Sequence, residues 1–211
     1  MDQIINYISV AGAFAFAISG ALTAMNKQFD AFGVFIIAFA TSVGGGSLRD
    51  VFVNESAVFW LIHPEYVYII IGGTVFAIVF RKYLSYLRKT LFLFDTLGLA
   101  LYTIIGVEIG IQNNLNGVSC VALGTITGSF GGVVRDILVN DVPLIFRKEI
   151  YATISILGGT IFYFMHRYQI GSEFIQLIPI LLIIVLRILV VYFKISFPLI
   201  KISENNQQLK D

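Results

Sequence analysis

At 211 residues, with 57% hydrophobic and 13% charged residues and a mean hydropathy of +0.87, the chain lies far outside the composition of an ordinary soluble domain and belongs in a lipid bilayer. Its formal net charge of +1 argues against a nucleic-acid binder, which would show a clustered basic surface, and the single cysteine, Cys120, excludes an intrachain disulfide. Flanked by Ser119 and Val121, that cysteine reads as a packed helix residue.

A bilayer span takes about 20 mostly apolar residues. Seven segments meet this: 4–25, 31–53, 65–84, 91–111, 117–139, 148–168 and 174–197. The start, Met1-Asp2-Gln3, lacks the basic region of a signal peptide, so the first apolar run is expected to be a retained span. Residues 26–30, 54–64 and 113–117 are rich in turn formers and separate neighbouring spans. Pro143 falls in the loop after span five, and Pro179 falls in the first turns of span seven, where a missing backbone donor costs least. The tail from Ser203 to Asp211 is polar and is expected to be a disordered end.

Thr41-Ser42-Val43-Gly44-Gly45-Gly46-Ser47-Leu48-Arg49-Asp50 is restated as Thr127-Gly128-Ser129-Phe130-Gly131-Gly132-Val133-Val134-Arg135-Asp136, at a constant offset of 86 residues. The same offset carries Gly12 to Gly98, Gly20 to Gly106, Val53-Asn54 to Val139-Asn140 and Gly72-Gly73-Thr74 to Gly158-Gly159-Thr160 without a gap. This is an internal duplication. The expected organisation is a first three-helix repeat over 1–86, a second over 87–172, and a seventh helix with a polar tail over 173–211.

Three spans per repeat force the second copy to enter the membrane from the opposite side, so the repeats are inverted. The fold class is an all-α membrane protein of seven transmembrane helices. Arg81, Lys82, Arg88 and Lys89 form the densest basic loop, which places it in the cytoplasm together with Lys27, Arg147, Lys148, Lys194, Lys201 and Lys210. Arg167 is left on the other side. The amino terminus is then outside and the carboxy terminus inside.

Consecutive glycines inside a spanning helix cost about 1 kcal/mol each relative to alanine. They allow either a close approach of another backbone or a bent or unwound stretch whose carbonyls turn toward a polar cavity. The hydroxyls of Thr41, Ser42, Ser47, Thr127 and Ser129 around them favour the second use, a wet path through a broken helix. Arg49, Asp50, Arg135 and Asp136 strengthen that reading, because an ionised group deep in a bilayer faces a cavity or a partner. Adjacent helical residues do not face one another, so each Arg and Asp is expected to find partners elsewhere; a direct bridge from Arg49 to Asp136 is not expected. Asp95 and Glu108 are expected at the interfaces. Arg187 is expected to snorkel or to meet a neighbouring subunit.

Enzyme signatures are lacking. Gly44-Gly45-Gly46-Ser47 has no following lysine to make a phosphate loop, no nucleophile elbow occurs, and His63 and His166 have no zinc-ligand spacing.

Two three-span repeats with Gly-Gly-Gly-x-x-Arg-Asp in span two and Gly-Gly-x-x-Arg-Asp in span five, together with Ala15-Phe16-Ala17-Ile18-Ser19-Gly20-Ala21 and Asp95-Thr96-Leu97-Gly98, resemble the bacterial trimeric intracellular cation channel (TRIC) family over roughly residues 7–168. The resemblance implies a homotrimer in the bacterial inner membrane, in contact with lipid and not with nucleic acid. It also implies that each protomer has a pore for monovalent cations, potassium chiefly and sodium, with no cofactor. The pore would be lined by spans two and five at kinks formed by Gly44, Gly45 and Gly46 and by Gly131 and Gly132. Phe130 departs from the pattern, standing where the first copy has Gly44. Related sequences are also described as glycine transporters, so a secondary transporter of a small amino acid is the alternative. In that alternative an Arg of the motif would hold the carboxylate and an Asp the ammonium.

Overall fold

The computed structural model describes residues 3–86, 90–146, 150–170 and 175–195. In chain order the elements are α1 (Gln3–Asn26), α2 (Ala31–Phe52), α3 (Phe59–Ile62), α4 (Glu65–Val79), α5 (Arg81–Tyr86), α6 (Thr90–Gln112), α7 (Gly117–Leu138), a 3₁₀ turn (Leu144–Phe146), α8 (Ala152–Arg167) and α9 (Leu177–Tyr192). The seven expected spans correspond to α1, α2, α4, α6, α7, α8 and α9. Of these, α1, α2, α6 and α7 are long and apolar enough to cross a bilayer unaided, whereas α4 and α9 are shorter apolar helices. The third span is divided: Phe80 caps α4, its amide donating to the carbonyls of Phe76 and Ile78, and α5 begins at Arg81. Arg88, Lys89, Arg147, Lys148, Lys201, Lys210 and the polar tail lie outside the described residues.

The duplication extends to the caps and turns. Asp30 accepts a hydrogen bond from the Gly33 amide at 2.7 Å and starts α2; 86 residues on, Asn116 accepts one from the Ser119 amide at 3.0 Å and starts α7. Left-handed backbone recurs at the same offset, at Gln28 and Asn114 and again at Asn54 and Asn140. Asparagine tolerates this conformation better than most side chains, which explains its use at three of the four positions.

Helix α1 packs on α2 and α4, and α6 packs on α7 and α8 in the same pattern. The halves join through α1 on α6 and α2 on α7, while α9 lies against α6 and α8. The buried centre includes Phe16 and Tyr102, edge to face at 5.3 Å, with Leu99, Ile104 and Val107.

The glycine stretches do not unwind. Residues 31–52 and 117–138 are continuous α-helix, which corrects the expected break. The glycines serve close approach instead. A Cβ on Gly45 would collide with the carbonyl oxygen of Thr127, and one on Gly131 would collide with that of Thr41. These two contacts are equivalent under the repeat, so α2 and α7 meet backbone to backbone along one seam. In a membrane, where apolar surface gains nothing by leaving lipid, such small-residue contacts are what bring helices together.

The hydroxyls beside the seam also differ from the expected wet lining. Thr41 donates to the Ile37 carbonyl, Thr127 to the Leu123 carbonyl and Ser129 to the Thr125 carbonyl, each one turn back along its own helix. Ser42 donates to Ala38 and Ala13 carbonyls, tying α2 to α1. All four are buried, with their hydrogen-bonding satisfied by backbone. Cys120 is buried in α7, as expected.

Candidate functional site: two charged ends of a glycine seam

At one end of the seam Arg49 is 6% exposed and donates through Nε and Nη2 to Oδ1 of Asp50, at 2.8 and 2.6 Å. The expectation that the two would seek other partners is therefore corrected. Buried side by side, the long guanidinium curls back to the carboxylate that follows it. Asp50 uses its second oxygen, Oδ2, to accept the Phe59 amide at 2.7 Å, anchoring the first turn of α3. The Phe59 ring in turn lies 5.5 Å from the Arg49 guanidinium. Trp60 donates from Nε1 to the Ser47 hydroxyl at 3.1 Å, so Ser47 holds α3 to α2.

The other end repeats the device with an addition. Arg135 donates from Nε to Oδ1 of Asp136 at 2.9 Å, and Oδ2 of Asp136 accepts the Leu144 amide at 3.1 Å, anchoring the 3₁₀ turn. Nη1 of Arg135 also donates to Oδ1 of Asp95 and to the Ser19 hydroxyl, both at 2.7 Å. Asp95 is 0% exposed, which corrects its expected place at the interface. Arg187 is also 0% exposed. Its guanidinium lies 5.1 Å from the Phe92 ring and 4.6 Å from the Tyr151 ring, and Nη2 is 3.9 Å from Oδ2 of Asp95. It therefore packs inside its own protomer instead of snorkelling or reaching a neighbour. Two arginines and two aspartates balance in this cluster, which is what makes their burial tolerable. Glu108, also expected at an interface, is buried and accepts from Gln112 Nε2 at 3.1 Å.

The two ends differ in openness. Arg49, Asp50, Ser9, Tyr66 and Tyr102 lie at a cavity of about 540 Å³ whose other walls include Glu55, Glu65, Gln112 and Asn113. Around Arg135 and Asp136, by contrast, the depression lined by Ser129, Gly132, Val133, Leu144, Ile145 and Tyr151 has no space that a water molecule could fill among the described residues. On that closed side Lys27 and Asp141 form an ion pair at 2.8 Å, joining the loop after α1 to the loop after α7. Their counterparts 86 residues away are Asn113 and Glu55, both at the open cavity.

Of the site residues read from the sequence, Thr41, Gly44, Gly45, Thr127 and Gly131 meet at the seam and Arg49, Asp50, Arg135 and Asp136 stand at its ends, whereas Ser42 turns to α1, Gly46 and Ser47 to α3, Gly132 to Asp95 and Tyr151, and Ser129 bonds its own helix. Tyr102, Tyr151, Phe59 and the Lys27–Asp141 pair were not among them. One signal for the difference between the ends is visible in the repeat alignment: Asp95 falls opposite Ser9.

Fold and site together define a class, an inverted-repeat helical membrane protein whose halves meet along a glycine seam flanked by buried arginine–aspartate pairs. A family model described as "Glycine transporter" matches residues 6–82 and again 92–167. The chain is 30% identical over 210 residues to the UPF0126 inner membrane protein YadS of Escherichia coli K12, covering 97% of this chain and 100% of that protein. Among solved structures, the TRIC trimeric intracellular cation channel orthologue of Rhodobacter sphaeroides superposes with a TM-score of 0.87 at 29% identity, over 92% of this chain and 100% of that one. A prokaryotic TRIC channel crystallised in 0.5 M KCl gives a TM-score of 0.86 at 32% identity, over 92% and 98%. The chain belongs to this family, whose model carries the glycine-transporter description and whose solved relatives are bacterial TRIC channels.

Proposed function

We propose that the chain is a potassium-permeable monovalent cation channel of the bacterial inner membrane, with a path in each protomer of a homotrimer. The path enters at the cavity above Arg49 and Asp50 and continues along the α2–α7 seam. It is lined there by Thr41, Ser42, Gly44, Gly45, Gly46 and Ser47 from one repeat and Thr127, Ser129, Gly131 and Gly132 from the other. Conduction requires the seam to part, and glycine contacts carry no side chains that would have to be moved aside. The two halves, residues 1–86 and 87–172, move as inverted equivalents, with residues 173–211 adding the seventh helix and tail. The amino terminus is outside, so the open cavity is the external mouth and the Lys27–Asp141 side is cytoplasmic. The permeant ions are potassium and sodium, and lipid is the surrounding partner.

The observation that carries this reading is the neutralised charge at the mouth. Arg49 alone would repel cations, but Asp50 cancels it at 2.6 Å and Glu55 and Glu65 stand at the same cavity, so the mouth is net acidic. Likeness to channels at TM-scores of 0.87 and 0.86 supports it. Purified full-length protein in planar bilayers under opposed potassium and sodium gradients tests it. Discrete unitary steps that reverse toward the potassium potential are expected. A silent bilayer together with electrically silent glycine uptake into liposomes would replace the channel by a transporter.

A further inference from the structure

One position of the duplication carries an aromatic ring in both halves, Phe16 in α1 and, 86 residues on, Tyr102 in α6. Each ring is held in the notch that a glycine leaves on the facing helix. A Cβ on Gly98 would collide with Phe16, and one on Gly12 would collide with Tyr102. The two rings meet edge to face at 5.3 Å, where the halves join. Phe16 reaches to 3.5 Å from the point that a Cβ on Gly131 would occupy at the seam, whereas Tyr102 lines the open cavity. The pair therefore bridges cavity and seam.

The two rings differ by a single oxygen. Tyr102 is 3% exposed, and its buried hydroxyl makes no hydrogen bond among the described residues. A buried polar group left unpaired destabilises a fold. Phenylalanine would avoid that penalty, and the other half shows that it fits, since Phe16 is 0% exposed in the equivalent place. Packing thus gives no reason for the hydroxyl. The neighbouring ion pair does not call for it either, because Asp50 already accepts two bonds from Arg49 at Oδ1 and the Phe59 amide at Oδ2. What the hydroxyl adds is a neutral oxygen with free lone pairs at the inner wall of the cavity, near an Arg49–Asp50 pair whose charges cancel.

We propose that Tyr102 is a selectivity residue of the path. A cation passing from the cavity into the parted seam exchanges one water of its hydration shell for the Tyr102 hydroxyl oxygen. Potassium releases hydration water more readily than sodium, so one neutral oxygen at this step compensates potassium more fully and favours its passage. Phe16 offers no oxygen at the equivalent point of the other half, which confines the discrimination to the cavity end. The inference rests on the channel reading above and adds to it the side chain that tells the ions apart.

Wild type and Tyr102→Phe, both full length, would be compared in planar bilayers with potassium on one side and sodium on the other, and by denaturant unfolding in detergent. Tyr102→Phe is expected to fold with an unfolding midpoint equal to or above that of the wild type. Its potassium conductance should nevertheless fall, and its reversal potential should move toward zero as the preference for potassium is lost. A merely structural hydroxyl would give the opposite pattern, a lowered midpoint with selectivity kept. That pattern, failure of Tyr102→Phe to fold, or an unchanged reversal potential in the conducting variant would each overturn the proposal. Wild-type currents are read first. Their absence removes the channel reading itself, whereas wild-type currents that Tyr102→Phe reproduces leave the channel standing and remove only the role of Tyr102.

Discussion

Gly45 rests directly on the backbone carbonyl of Thr127, and the same contact recurs with the helices exchanged, Gly131 on Thr41. No rotamer change can relieve an overlap with backbone, so any side chain here must push α2 away from α7. Gly45→Ala and Gly131→Ala are each expected to destabilise by about 1–3 kcal/mol, the usual range for overpacking. Gly72→Ala is the control: nothing lies within 4 Å of its added methyl, and helix propensity favours alanine there by up to about 1 kcal/mol. Unfolding of the purified protein followed through Trp60 checks the contrast. Equal effects at Gly45 and Gly72 would refute the seam.

Asp95 lies between Arg135 and Arg187, with its two oxygens turned toward different guanidinium groups. Asp95→Asn leaves that buried cluster with excess positive charge, and breaking a buried pair from one side typically costs about 3–5 kcal/mol. Adding Arg187→Met should recover part of the loss by restoring the charge balance. The comparison is made by denaturant unfolding in one detergent; a double variant no better than the single would show that charge balance is not what holds the cluster.

Lys27 and Asp141 are 38% and 40% exposed, and a pair so well solvated contributes roughly 0–1 kcal/mol to stability. Lys27→Met should therefore shift the unfolding midpoint little. It should nevertheless raise open probability in bilayer recordings, because the pair straps two loops across the closed end. The exchange Lys27→Asp with Asp141→Lys should return open probability toward the wild-type value. Currents indifferent to all three changes would leave the pair as a surface contact only.

Much of this architecture was legible in the chain. The 86-residue offset gave the repeats and, with span counting, their inversion, because caps, turns and motifs were copied together: Asp30 with Asn116 and Asn54 with Asn140 are visible as letters. The role of the glycines was less so. Gly44-Gly45-Gly46 is compatible with unwinding or with close packing, and the choice depends on what lies opposite, which proves to be a carbonyl of a helix 82 positions further on, at Thr127. Hydroxyls bonded to their own helix look the same in a sequence as hydroxyls facing water. The pairing of Arg49 with Asp50 was missed for a related reason: helical spacing describes where side chains leave the axis, whereas a long, largely buried guanidinium can bend back to the carboxylate of the next residue. Asp95 and Arg187 were misplaced by their position near span ends or along an apolar helix, since their shared burial depends on α6, α7 and α9 meeting.

The exchange of Asp95 for Ser9 has a thermodynamic consequence. A duplicated protein with identical halves would be degenerate, equally at home facing either compartment. One carboxylate, present in the later copy and absent from the earlier, breaks that equivalence: it bonds Arg135 at the closed end, while its counterpart position at the open end carries a serine. Ser9 and Asp95 are thus one of the places, with Lys27 and Asn113 and with Glu55 and Asp141, where the two halves stop being interchangeable.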